Sequence, residues 1–159
     1  MNELLDTTEL EQALRELGED IRQGYIETLL RNDRKATGAL IDIPPAIVEV
    51  QGTVYEVKLS LQDYWKYVEE GTKPHWPPRS AILKWIQAKP VIPRPDRNGR
   101  IPSQQSLAFL ISRKIAREGT EGSHDLQKTK DAILPYWEQR LQGVLARMWT
   151  RYLQRIIWE

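Results

Sequence analysis

Chemistry in this chain would have to come from its histidines, its adjacent carboxylates or its tryptophans. The two histidines, His75 and His124, fall in separate loops, and neither has a ligand-type partner at i+4 or at C-x-x-C-like spacing. Both read as structural histidines, and no metal site is expected. Glu69 and Glu70 could be offered as a general acid and base, but neighbours on a helix point about 100° apart and do not flank one substrate atom. They read instead as solvated or ion-paired carboxylates. The glycine-containing stretches EGTKPHWPP and REGTEGSHD match neither a GxxxxGK[ST] phosphate loop nor a GxGxxG turn. With no cysteine, disulfides, thiolate zinc sites and thiol nucleophiles are excluded. The expectation is a non-enzyme with no catalytic residues, metal or cofactor.

Six tryptophans invite a base-stacking role, above all Trp65, Trp76 and Trp85 near Lys73, Arg79 and Lys84. Trp85 and Trp137 lie on apolar helical faces and are expected in the core. Trp76, between His75 and Pro77, is the better surface contact, with Arg79 beside it. The stretch KPVIPRPDRNGRIP is stiff, basic and extended, and offers Lys89, Arg94, Arg97 and Arg100. Ordering a stiff arm costs little entropy on association, which favours a partner surface over a solvated loop. In the last third, Arg140, Arg147, Arg151 and Arg155 make a stripe beside the apolar one, either a solvated face or a partner surface. The formal charge of +1 is too balanced for a general DNA coat, so any basic contact is local.

The elements that must position these groups follow from periodicity. A chain of 159 residues, 40% hydrophobic and 28% charged, reads as one domain, 1–159. It has no run of about 18 apolar residues, and its MNELLDTTELEQ start lacks signal-peptide character, so a soluble, cytoplasmic chain without membrane contact is expected. Thr8 and Glu11 read as a capping box opening a helix to Arg31, with Leu10, Ala13, Leu14, Leu17, Ile21, Tyr25 and Leu29 on one face. Pro44-Pro45 imposes extended backbone, and alternation through Val54–Leu61 marks a hairpin turning at Gly52-Thr53. A short helix closed by Gly71 follows. Pro77-Pro78 opens another carrying Ile82, Leu83, Trp85 and Ile86, which stops before Pro90. Ser103 caps a helix ending at Gly119, GTEGSHD is a loop, and a helix over 125–158 is kinked or restarted by Pro135. No internal repeat is evident. The fold class is α+β: helices packed on a small antiparallel β-sheet, with long N- and C-terminal helices.

The order KATGAL, a strand pair, DYWKYVEEGTKPHWPPRSAILKWI and SLAFLISRKIAREGTEG resembles the tail-completion, or head-tail connector (neck), family of tailed bacteriophages. The family's Tyr-x-x-Tyr-Val-Glu-x-Gly-Thr segment is matched by Tyr64, Tyr67, Val68, Glu69, Gly71 and Thr72, and the resemblance covers roughly 35–122. Where many members carry a Phe-Leu-Arg-Pro-Ala type ending, this chain has residues Ile82 to Arg117 instead. The resemblance implies a structural virion protein that joins or completes the head-tail (portal-tail) connection as a homo-oligomeric ring, six subunits favoured over twelve. Its implied partners are other copies of itself, neck, portal-adaptor or tail proteins, and packaged DNA in the lumen. Its implied location is the virion neck, with the host cytoplasm during assembly.

On this reading the opening of that segment is a rigid joint. Gly71 permits a sharp turn beside Glu69, while Pro74, Pro77 and Pro78 around His75 stiffen the path into the next helix. The partner interface is expected at Trp76, Arg79, Lys89, Arg94, Arg97, Arg100, Arg147 and Arg151. The alternative is a nucleic-acid-binding module whose grip is Trp76, Arg79 and the Lys89–Arg100 loop; a small hydrolase is a more distant one.

Overall fold

Apolar residues at three- and four-residue intervals wind the first and last thirds of the chain into long helices. The computed structural model describes residues 5–34, 38–89, 91–95 and 97–158. Lys35, Ala36 and Thr37 of the KATGAL stretch and the helix-ending Pro90 therefore lie outside the described residues, as does Asp96 of the basic loop. The elements in chain order are α1 (Thr8–Arg31), β1 (Ile47–Gln51), β2 (Val54–Lys58), α2 (Trp65–Glu70), β3 (Gly71–Thr72), α3 (Arg79–Ala88), α4 (Gln104–Glu118), β4 (Thr120–Glu121) and α5 (Asp125–Trp158). The fold is α+β, with long terminal helices and two small antiparallel sheets, β1-β2 and β3-β4.

The expected single domain meets a chain that divides into two compact units: 1–32, 42–61 and 125–159 form one, 33–41 and 62–124 the other. In the first, Leu10, Ala13, Leu17, Ile21, Tyr25 and Leu29 of α1 and Trp137, Val144 and Met148 of α5 are all buried. Each of the Leu, Ile, Val and Met side chains among them contributes about 1.5–3 kcal/mol on leaving water. The β1-β2 hairpin turns at Gly52-Thr53, pairing Gln51 with Val54 and Ile47 with Lys58. It lies directly on α1, because a Cβ on Gly18 would collide with Ala46 and Val57. The Ala46 N–H donates to Glu19 at 2.7 Å, and Arg22 donates to the Ile43 carbonyl at 3.1 Å.

The second unit has little core: among its described residues the buried apolar side chains are Leu40, Ile86 and Ala108, and Ser112 of α4 is buried too. It is built from the α3–α4 helical hairpin and from β3 paired with β4, Gly71 opposite Glu121 and Thr72 opposite Thr120. Ser103 caps α4 as expected, its hydroxyl accepting from the Ser106 N–H at 3.2 Å. The chain from Lys89 to Pro102 is neither helix nor strand among its described residues.

Several expectations change. Thr8 is the first helical residue rather than a cap: its N–H is met by the Asp6 carboxylate at 3.0 Å, and the Thr7 hydroxyl donates to Glu11 at 3.0 Å. Trp85 is not core but 42% exposed, because α3 is covered on one narrow side, where Ile86 alone is buried. GTEGSHD is not simply a loop, since Thr120 and Glu121 pair with β3. Pro135 does not restart a helix, for α5 runs unbroken through it.

Candidate partner interface

The glycine joint is built from two copies of one tripeptide. Glu70-Gly71-Thr72 ends α2 and Glu118-Gly119-Thr120 ends α4, and the two run antiparallel to each other. Gly71 has φ 81° and ψ −169°, and Gly119 has φ 74° and ψ −156°, a region essentially reserved for glycine. Space forbids a side chain as firmly as the dihedrals do: a Cβ at Gly71 would overlap the Thr120 carbonyl, and one at Gly119 the Thr72 carbonyl. The hydroxyls of Thr72 and Thr120 meet at 2.9 Å. The Ser123 N–H then donates to the Val68 carbonyl at 2.9 Å and the His124 N–H to that of Glu69 at 3.0 Å. Glu69 itself is buried. The repetition was legible, since E-G-T occurs twice, each time after a helical pattern; no local signal says that the two copies pair.

From the joint the chain passes Pro74, whose neighbour His75 turns its Nδ1 to the Lys73 carbonyl at 2.9 Å and donates its N–H to the Ile115 carbonyl at 3.4 Å. Pro78 forms the N-cap of α3, and Pro77 precedes it. An open cleft of about 800 Å³ lies beside this path, lined by Tyr67, Glu70, Lys73 and His75 among others. Trp76 is 62% exposed. Its ring stacks on Phe109 at 6.3 Å between centroids, and the Arg79 guanidinium lies over the same Phe109 ring at 5.0 Å. The structure thus unites the expected Trp76 and Arg79 through Phe109, the chain's single phenylalanine. That residue was missed because a contact 33 positions away leaves no periodic trace.

The basic residues divide. Arg94, Arg97 and Arg100 are exposed on the loop, whereas Lys89 is held by the Asp33 carboxylate at 3.0 Å. Arg147 and Arg151, expected at a partner surface, both pair with Glu9 of α1. Arg140 pairs with Glu16 and lies over the Trp137 ring at 4.3 Å, while the Trp137 Nε1–H donates to Asp20 at 2.8 Å. The signal was present: Glu9 and Glu16 are seven apart, as are Arg147 and Arg140, which is the register of two antiparallel helices. The hydrogen bond from Arg147, then that from Arg151, holds the Glu9 carboxyl below the usual carboxylate range. A hydrogen bond from Thr8 lowers Asp6 likewise, helped by the charges of Arg151 and Arg155. On the hairpin, Glu49 and then Glu56 raise Lys58 above the ordinary lysine value.

No group of three or more histidine and acidic side chains converges as a metal site among the described residues. Among the described residues, no helix is long and apolar enough to cross a membrane. The chain matches no family model, and comparisons with curated proteins and with solved structures find no similar protein.

Proposed function

We propose that this chain is a non-enzymatic structural protein of the neck of tailed bacteriophages, completing the head-tail connection as a homo-oligomeric ring, with six subunits favoured over twelve. Its neighbours on this reading are further copies of itself and neck, portal-adaptor or tail proteins, in the virion neck and, before that, in the host cytoplasm. The observation that carries the reading is the glycine joint. The segment of family-like residues, Tyr64 to Thr72, ends in a turn that only glycine fits and that is clamped by a second E-G-T. A subunit that presents loops to neighbours at fixed angles needs such a joint, and ring closure needs those angles held. The proline-rich stretch from Lys89 to Arg100, with Arg94, Arg97 and Arg100 exposed, supports the same reading.

Negative-stain electron microscopy of the purified protein tests it. Closed rings with six-fold symmetry are expected. Monomers at every concentration, or open filaments, would overturn the assignment.

A further inference from the structure

We infer that the α3–α4 hairpin of the second unit, with the loop joining its helices, is a binding surface for the sugar-phosphate backbone of nucleic acid. The neck reading is not needed for this, because the inference rests on where the charge lies. The chain is nearly neutral overall, yet residues 73–117 hold ten Lys and Arg and a single acid, Asp96. By unit, 13 Lys and Arg stand against 7 Asp and Glu in the second, a net of +6, whereas 10 stand against 15 in the first, a net of −5. An average charge of +1 hides this segregation.

The cations of the second unit are also available. Lys73, Lys84, Arg94, Arg97, Arg113 and Lys114 are all exposed and have no ion pair among the described residues. Lys89 and Arg117 are paired, with Asp33 and Glu118. Unpaired cations repel one another, a cost that a phosphate backbone relieves as its condensed counterions are released. Beside them stands a flat aromatic stack. Arg79 and Trp76 both lie against the Phe109 ring, and Trp76 keeps most of its surface in water. An exposed indole held against a phenylalanine that also carries a guanidinium is suited to a nucleobase. An acidic protein would satisfy the same charges, and competition by polyglutamate separates it from nucleic acid.

The test is fluorescence anisotropy of the full chain with a labelled 20-nucleotide oligothymidine and, separately, a 20-base-pair duplex, with polyglutamate as competitor. Five phosphate contacts predict a slope of log K against log salt near about −4.5 on the duplex, roughly a 500-fold loss between about 50 and 200 mM. Replacing Lys84, Arg94, Arg97, Arg113 and Lys114 together by Ser should flatten that slope, with the circular dichroism melt unchanged. Trp76→Ala should weaken the single strand roughly tenfold while changing the duplex little. No binding at the lowest salt, or binding that survives the five-site variant, would overturn the inference. So would equal competition by polyglutamate, which would assign the surface to an acidic protein.

Discussion

The two units hold their charges in opposite ways. In the first, Arg15, Arg22, Arg140, Arg147 and Arg151 all face a carboxylate of the same unit, and a tryptophan is buried beneath them to 1% exposure. In the second, three buried apolar side chains support a surface on which six cations meet no carboxylate among the described residues. Exposed ion pairs contribute little each, so the difference is not mainly one of stability. What it teaches is that these five arginines of the first unit are satisfied within it, whereas the second unit leaves cationic charge to be satisfied by something else. Without a large core, the second unit is held by the α3–α4 hairpin and by the backbone pairing at Gly71 and Gly119.

The largest expected effect falls on the first unit. Trp137→Ala empties its centre and strands the Asp20 carboxylate, and should cost about 3–5 kcal/mol by chemical denaturation. A loss under about 1 kcal/mol would mean that the α1–α5 contact is not where this unit's stability lies. Gly71→Ala should break the second unit by a different route. Its dihedral strain costs about 1–3 kcal/mol, and overlap with the Thr120 carbonyl adds to that. Hydrogen exchange should then quicken at 71–72 and 120–121 and leave α1 protected; uniform quickening would show that the units do not respond separately.

A smaller effect concerns pH. Because Glu9 titrates below the usual carboxylate range when folded, its contribution is present above the unfolded value, about 4.3, and is lost as pH falls through the depressed folded one. Wild type should therefore lose melting temperature more steeply than Glu9→Gln in that acid window, and parallel curves would deny Glu9 its role. The smallest effect sharpens the contrast: Lys84, Arg113 and Lys114, each changed to Ser, should shift stability by no more than about 0.5 kcal/mol. A clear destabilisation would show that they have partners within the chain after all.

Much of the fold was legible because it is written in local periods. The bounds of α1, the Gly52-Thr53 turn, the short helix closed by Gly71 and the Ser103 cap all follow from side chains within a few positions of one another. What escaped is long-range. The β3-β4 pairing joins residues 48 apart, Phe109 reaches Trp76 across the α3–α4 hairpin, and Trp85 has a core-like period but no element to cover it. Of the candidate site, Trp76 and Arg79 do come together. The stripe of Arg147 and Arg151 reads as outward-facing within α5 alone, and only the acids of α1 turn it into an internal contact. The charge segregation needed no structure at all, only a count taken over 73–117 instead of the whole chain.

That the α3–α4 hairpin is the working surface is tested most directly by hydrogen exchange on the full chain, free and with the 20-base-pair duplex at low salt. Slowed exchange confined to 79–89 and 104–118, with α1 and α5 unchanged, is the predicted result. Slowing in α1 and α5 instead, or no change in either unit, would contradict it.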